Sequence, residues 1–457
     1  MLFYLSKSEI FLYKYNPYDT IAAISTPRGT AALAIIRVSG DGTLSIIEKI
    51  THKKSFKPKR LSKVSFYGNN RLLDEGMVCF FQNPHSYTGE DMCEFYCHGN
   101  DFLVSQLLET ILIDCRLAER GEFTMRAFMN KKIDLTQAEA VGNLLKVQTK
   151  EAQKAALWQL EGKLYSRIDG VLEKIKALRI ILELAIDFAE DEVPEYNPAD
   201  IERQMNEIFN DLSCLKTSAH TGIILTNGLK VGLIGSPNVG KSSIFNAFLE
   251  KERAITSNIP GTTRDYLEES FDLNGYLIKL YDTAGFQETA DFVEQKGIER
   301  SREIIAGSDL VFHIISADIA DDEGIAMEIT APVIKVINKV DLLSAEKVNS
   351  YVQMGFVPCS TVIDGGLNEL KRVMLSQFPS IDSSADTTFL TNIRQLACVE
   401  KALESMHRAM TSTRQNIGID FVAFDIQQAS RACEEIVGSV SSEDILEKIF
   451  NNFCIGK

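Results

Sequence analysis

Apolar positions along the chain change their period from region to region. Between 19 and 100 they fall in short runs broken by turns: Thr20–Ile24, Ala31–Val38, Lys63–Tyr67, Gly76–Phe81 and Asp91–Cys97. Runs of that length, bounded by turn residues, predict strands. Asn100 to Leu117 predicts a helix, so the region reads as an α+β unit. From Thr136 to about His220 the spacing lengthens. Ile168, Val171, Leu172, Ile175, Leu178, Ile181, Leu182, Ala185 and Phe188 recur at three- and four-residue steps, the stripe of a long helix. Val193-Pro-Glu-Tyr-Asn-Pro198 breaks that helix, and another begins near Ala199. Residues 226–378 alternate strands and helices. After the loose stretch Ser380–Thr388, Leu390, Ile393, Leu396, Ala397, Leu403 and Met406 form one helical stripe. Ile445, Leu446, Ile449, Phe450 and Phe453 form the last.

This order predicts a multidomain protein, part α+β and part α/β. An N-terminal α+β domain takes residues 1–130, and a discontinuous helical bundle takes 131–224 and 379–457. An α/β domain over 225–378 is inserted between the two helical parts. Such insertion is tolerated where the termini of the inserted piece lie close together.

The strand Leu229–Ile234 runs into Gly235-Ser-Pro-Asn-Val-Gly-Lys-Ser242, a Gly-x-x-x-x-Gly-Lys-Ser loop, and then into a helical pattern. Strand, glycine loop and helix together predict a phosphate loop. Its backbone N–H groups and the helix start face phosphate oxygens, Lys241 reaches the β- and γ-phosphates, and the Ser242 hydroxyl meets Mg²⁺. Asn338-Lys-Val-Asp341 follows the apolar strand Val333–Ile337. Asp341 accepts from N1–H and the 2-amino group of guanine, donors that adenine lacks, so the loop selects GTP over ATP. Ser360-Thr361 is placed to offer a backbone N–H to the guanine carbonyl oxygen. Asp282-Thr-Ala-Gly285 follows the strand Leu277–Tyr281, with Asp282 facing a Mg²⁺-bound water and the Gly285 N–H facing the γ-phosphate. Gly261-Thr-Thr-Arg-Asp265 supplies a second switch, with Thr263 as a Mg²⁺ ligand. Four motifs in this order, each in a fitting context, predict a Ras-like GTP-binding domain.

After Asp282-x-x-Gly285, Phe286 stands where Ras-like proteins carry the Gln that orients the attacking water. Gln287, Glu288 and Glu294 lie just downstream as replacements. No arginine has the context of a finger, so a cation must come from elsewhere. Asn238 either helps hold a monovalent ion, under a loop such as Ser257–Thr262, or is simply a turn residue after Pro237.

Charge and composition narrow the picture. The net charge of −15 argues against a chain that coats itself with nucleic acid. Any RNA contact is then a local patch or comes through a partner. The densest basic run, Lys53 to Lys63 with Lys57, Lys59 and Arg60 inside it, reads more simply as a solvated loop. No apolar run reaches the length of a membrane span, and residues 1–18 resemble neither a signal nor a transit sequence. Nine cysteines without a repeating framework suit reduced thiols and a cytoplasmic setting. Cys93, Cys97 and His98 lack a second ligand pair at zinc spacing. Cys454 has no neighbour that would activate it and reads as a packing residue. Two polar clusters, Tyr87–Gly99 and Gly121–Leu135, look out of place in a core. The first holds acceptors, notably Glu94; the second holds donors, notably Arg126 and Lys132.

The sequence resembles the MnmE (TrmE) family of tRNA-modification GTPases over about residues 19–457. The resemblance is carried by Gly-Ser-Pro-Asn-Val-Gly-Lys-Ser-Ser at 235–243 and Gly-Thr-Thr-Arg-Asp at 261–265. Outside the nucleotide domain it is carried by Tyr-Thr-Gly-Glu-Asp at 87–91, Gly-Glu-Phe-x-x-Arg-Ala-Phe at 121–128 and the C-terminal Phe-Cys-Ile-Gly-Lys. It implies a folate-binding, dimerising N-terminal domain, with Arg37, Glu94, Lys132 and Lys457 contacting a tetrahydrofolate derivative in its 5,10-methylene or 5-formyl form. It implies GTP hydrolysis with K⁺ in place of an arginine finger. The ion's ligands fall on Asn238, Ser257, Ile259 and Thr262, the second and third through backbone carbonyls. Glu294 matches the catalytic glutamate and acts with Lys241 and Gly285. The GTP contacts fall on Asn238, Val239, Gly240, Lys241, Ser242, Ser243, Ser257, Thr262, Thr263, Asp282, Thr283, Ala284, Gly285, Asn338, Lys339, Asp341, Ser360 and Thr361, with Mg²⁺ on Ser242 and Thr263. The implied partners are a second copy of the chain, the flavoprotein MnmG carrying FAD and using NADH, and tRNA reached largely through that complex. The implied product is a wobble uridine with an aminomethyl or carboxymethylaminomethyl group at C5. The rival expectation is a GTP-switched scaffold without base chemistry; a one-carbon transferase acting alone is weaker, for want of a dinucleotide fingerprint.

Overall fold

The computed structural model describes residues 19–187, 198–251, 253–254, 268–282, 305–318, 331–378, 389–415 and 417–457. It divides into two compact units, Met1–Gly142 with Gln159–Ile201 and Arg408–Lys457, and Asn143–Trp158 with Glu202–His407.

In the first unit a six-stranded sheet is built from β1 (Ile21–Ile24), β2 (Ala31–Ser39), β3 (Leu61–Gly68), β4 (Arg71–Phe81), β5 (Met92–Gly99) and β6 (Arg116–Leu117), in the order β3-β4-β5-β2-β1-β6. Alternation along β3 sends Val64 and Phe66 inward, beside Val78, Phe95 and Ile36. The helices Thr43–Thr51 and Asp101–Ile111 close that face with Ile46, Ile47, Ile50, Val104 and Leu107. The first of these helices gives no sustained stripe in the sequence. The second is capped by the Asn100 side chain, which accepts from the Phe102 and Leu103 amides. It is shorter than the helix expected over Asn100–Leu117. It stops at Ile111, and Arg116–Leu117 instead pairs in parallel with β1. The Arg116 guanidinium explains the change: it is held by Asp19 and Glu122, and its amide donates to the Thr20 carbonyl.

The same unit holds the helix Glu122–Met129, the long helix Lys163–Asp187 and the helices Ile419–Val437 and Glu443–Phe450. Met125, Leu135, Ala138, Leu446, Phe450 and Phe453 share one apolar cluster. This cluster brings the last residues of the chain back to the N-terminal sheet. Gly456 sits at φ +92, where an added Cβ would stand 2.3 Å from the Ile24 carbonyl oxygen, so only glycine permits the approach.

In the second unit, β7 (Leu229–Ile234), β8 (Arg253–Ala254), β9 (Glu268–Leu273), β10 (Tyr276–Asp282), β11 (Leu310–Ser316), β12 (Val333–Asn338) and β13 (Val357–Pro358) form a sheet of order β13-β12-β11-β7-β10-β9-β8. From β13 to β10 the pairing is parallel, and β9 turns antiparallel against β10. Val231, Leu233, Phe312, Ile314 and Val336 are buried, as a parallel sheet covered on both faces requires. The helix Pro198–Asn227 begins where one was expected, near Ala199. In the helix Ile393–Arg414 the buried positions include Cys398, Val399, Ala402, Met406 and Ala409, whereas Ile393, expected in its stripe, is exposed. No helix among the described residues is long and apolar enough to cross a membrane.

Candidate functional sites

The nucleotide motifs in the described residues all leave the carboxyl ends of parallel strands. Gly235 follows β7, Asp282 ends β10, Asn338 ends β12 and Ser360 follows β13. That edge is where an open α/β sheet presents a ligand.

Three positive-φ residues shape the phosphate loop: Gly235 at +147, Asn238 at +65 and Gly240 at +97. A Cβ on Gly235 would meet the Ile314 carbonyl at 2.1 Å, and one on Gly240 the Asn338 amide nitrogen at 2.2 Å. The loop therefore closes tightly on the sheet, and the helix Lys241–Lys251 starts at its end. Lys241 folds back over it, donating to the carbonyls of Gly235 (2.8 Å) and Ser236 (3.0 Å). Burial pushes the Lys241 ammonium below its ordinary range, against an opposite pull from Asp282. The Ser242 hydroxyl donates to Asp282 Oδ2 at 2.8 Å. This hydroxyl and carboxylate are hard oxygen donors of the kind Mg²⁺ takes.

The base-side loop is tied to the phosphate loop. Buried Asn338 donates through Nδ2 to the Val239 carbonyl at 2.9 Å. Lys339, at φ +61, reaches the Asn238 carbonyl at 3.3 Å and Asp318 at 2.9 Å. Asp318 is held in turn by the Ser316 hydroxyl; those two partners draw its carboxyl below the usual range. The sequence reading missed Asp318, whose only signal is its place just past a buried strand. Asp341 is exposed and accepts from the Ser360 hydroxyl at 2.6 Å. The Ser360 amide is committed to the Gly366 carbonyl at 3.2 Å. Of the expected pair Ser360-Thr361, that leaves the Thr361 amide uncommitted among the described residues, with the Ser360 hydroxyl held on Asp341. Ser257, Ile259, Thr262, Thr263, Thr283, Ala284, Gly285 and Glu294 lie outside the described residues.

In the N-terminal unit the two polar clusters converge. Asn130 Nδ2 donates to the Thr88 carbonyl at 2.8 Å, and the Tyr87 and Thr124 hydroxyls meet at 2.9 Å. Arg37 on β2 stands directly across from Glu94 on β5, and its guanidinium donates to Oε1 at 2.7 and 3.1 Å. The Tyr96 hydroxyl donates to Oε2 at 2.6 Å. Burial, and then Glu94, raises the Tyr96 phenol above its usual range. A carboxylate accepts about four hydrogen bonds, so Glu94 keeps room for one more donor. The Arg37 guanidinium carbon lies 5.7 Å from the Tyr87 ring centre and 5.6 Å from that of Phe123. The Phe123 amide donates to the Lys457 carbonyl at 3.1 Å, and the Ser25 hydroxyl to the Gly456 carbonyl at 3.2 Å, which fixes the C-terminus beside this pair. Lys132 is exposed and reaches the Pro84 carbonyl at 2.9 Å.

Arg126 does not serve as a donor toward a ligand. It is buried and bound to Asp19 (2.7 Å), Glu122 (3.0 Å) and Glu90 (3.1 Å). Burial alone would lower its pKa, but Glu90 and Glu122 outweigh it and raise it. Arg126 is thus a structural counter-ion. Cys93 and Cys97 are buried on β5, and among the described residues no group of His, Cys, Asp and Glu is placed to hold a metal ion.

Known proteins resemble this chain over nearly its whole length. The family description "GTP-binding protein TrmE N-terminus" matches residues 20–132, and "MnmE helical domain" matches 135–454. The chain is similar to the tRNA modification GTPase MnmE of Aquifex aeolicus, with 38% identity over 447 residues, 96% of this chain and 100% of that one. It is also similar to that of Carboxydothermus hydrogenoformans, with 40% identity over 464 residues, 96% of this chain and 99% of the relative. Among solved structures, the FeoB G-domain of Methanococcus jannaschii is 30% identical, covering 32% of this chain and 96% of its own, at a TM-score of 0.23.

Proposed function

The chain belongs to the MnmE family of tRNA modification GTPases, and from that premise we propose that it hydrolyses GTP with K⁺ as the charge-neutralising cation to drive modification of the wobble uridine of certain tRNAs. With the FAD- and NADH-using partner MnmG, it adds an aminomethyl or carboxymethylaminomethyl group at C5, the carbon coming from methylene-tetrahydrofolate. It works as a homodimer in the cytoplasm.

The observation that carries this reading is the presence, in one chain, of a nucleotide site and a separate paired-charge site in the N-terminal unit. In the first, Lys241 exchanges its bonds to the Gly235 and Ser236 carbonyls for phosphate oxygens. Asp341, aligned by Ser360, reads guanine. The Ser242–Asp282 pair supports Mg²⁺ there, with Thr263 completing the protein ligands. For K⁺ the reading rests on Asn238, exposed at φ +65 within the phosphate loop, with Ser257, Ile259 and Thr262 as the other ligands. Glu294 positions the attacking water, and Gly285 meets the γ-phosphate. In the N-terminal unit, the Arg37–Glu94 pair beside Tyr87 and Phe123 offers a flat ligand both a charged edge and aromatic faces. Lys132 and Lys457 supply further cations for a folate's carboxylates.

GTP turnover measured in KCl and in NaCl tests the cation, with faster turnover expected in KCl; equal, slow rates in both salts would remove it. Nucleoside analysis of tRNA from a strain lacking the protein tests the chemistry. Loss of the C5-substituted wobble uridine is expected, whereas unchanged wobble uridines would favour a GTP-switched scaffold.

A further inference from the structure

The N-terminal unit carries a cationic face that neither site uses. Residues 49–73 contain no Asp or Glu, although the chain holds 63 of them and a net charge of −15. The same stretch carries Lys49, Lys53, Lys54, Lys57, Lys59, Arg60, Lys63 and Arg71, all exposed. Lys49 pairs with Asp114, and Lys63 lies 3.7 Å from Glu75. Among the described residues the others pair with no carboxylate.

The turn that presents them is anchored. His52, at φ +54, ends the helix Thr43–Thr51, and its ring meets Tyr67 on β3 edge-to-face at 4.6 Å. Phe56 is half-buried against the sheet's apolar core, with the Lys53 ammonium 5.4 Å from its ring centre. Lys59 adopts φ +58, a strained conformation for a lysine, and its amide donates to the Phe80 carbonyl on β4 at 2.7 Å. The Arg60 amide closes the turn on the Lys57 carbonyl at 3.3 Å. The turn lies beside β3, the edge strand of its sheet, where nothing else in the sheet covers it. A loop kept only for solubility needs none of these fixings. Here like charges are held together on a set backbone, which stores repulsion that a polyanion relieves.

We propose that this turn, Lys53 to Lys63, docks the sugar-phosphate backbone of the tRNA on which the protein acts. The inference rests on the proposed tRNA reading and adds to it a site on this chain. The overall acidity does not oppose it, because screening confines the effect of distant carboxylates to about 8–10 Å. Contacts of this kind position the RNA without reading its sequence.

The test is a salt titration of tRNA binding by the full-length chain, comparing wild type with the combined variant Lys54→Gln, Lys57→Gln, Lys59→Asn, Arg60→Gln. Asn at 59 tolerates the left-handed backbone. The variant should bind tRNA about tenfold or more weakly at low salt, with a log–log salt slope shallower by about 3. The weakening should be uniform across tRNA sequences. GTP turnover should be unchanged, since none of these residues belongs to the nucleotide site. An unaltered affinity and slope overturn the proposal, as does wild-type protein that binds no tRNA by itself. Weaker binding to phosphatidylserine vesicles with tRNA affinity intact overturns it in favour of a lipid surface. Failure of the tRNA reading itself is seen separately, in the nucleoside composition of tRNA from a strain lacking the protein.

Discussion

In the nucleotide unit, Lys241, Ser242, Asp282, Asn338 and Asp341 fall in three short motifs, each starting at or past the end of a parallel strand. In the N-terminal unit, Arg37 meets Glu94 across 57 positions, and Ser25 meets Gly456 across 431. The difference extends to what the side chains touch. Lys241 rests on neutral carbonyls of its own loop and Asp341 on a hydroxyl, partners easily exchanged for a ligand. Arg37 and Arg126 rest on carboxylates, and Arg126 does so while buried. Removing one member of a buried charge cluster leaves the others uncompensated. Loss of Asp341 should therefore leave its unit folded, whereas loss of Arg126 should not.

The largest expected effect tests that asymmetry. Arg126→Met leaves Asp19, Glu90 and Glu122 facing one another and should destabilise the first unit by about 3–5 kcal/mol. Urea unfolding of the full chain, followed beside GTP turnover, reads both units. An unchanged midpoint would break the comparison. Next comes Asp341→Asn, which should keep the fold and weaken GTP by about 1.5–3 kcal/mol, roughly tenfold to a hundredfold, while favouring a xanthine nucleotide. Retained GTP preference in a nucleotide titration would take base reading away from Asp341. Gly456→Ala forces a Cβ toward the Ile24 carbonyl at a positive φ and should cost about 1–3 kcal/mol locally. It should appear as weaker binding of a formyl-folate with normal GTP turnover; coupled losses would show that the two halves are not separable. Ser360→Ala is the mildest. It removes the hydroxyl that orients Asp341 and should weaken GTP by about 1 kcal/mol without altering base preference. A shift in preference would mean that Ser360 itself reads the base.

Much of the nucleotide site was legible because its chemistry is local. A glycine at a positive φ, a lysine one residue on and an apolar run before them are enough to place a phosphate loop. What stayed hidden there came from distant partners. Asp318 braces Lys339 from another strand end, and the Ser360 amide is spent on Gly366, which leaves Thr361 as the open amide of the expected pair. In the N-terminal unit the residue types were visible but their roles were not. Arg126 read as a ligand donor and is a buried counter-ion. Arg116 read as helix and is a strand residue, because Asp19 and Glu122 hold its guanidinium.

By itself, then, the sequence determined most of the strands and helices, the phosphate-loop motif between strand and helix, and the family. Each depends on side chains within one turn or one strand of each other, where backbone geometry alone sets the distance. Only the tertiary structure decided that Tyr87–Gly99 and Gly121–Leu135 meet and that the C-terminal glycine sits on β1. It also decided which cations are spent inside the protein and which, on the turn before β3, are left to face solvent. Those outcomes depend on burial and on partners far along the chain, and no local pattern of residues encodes the cost of leaving a buried charge alone.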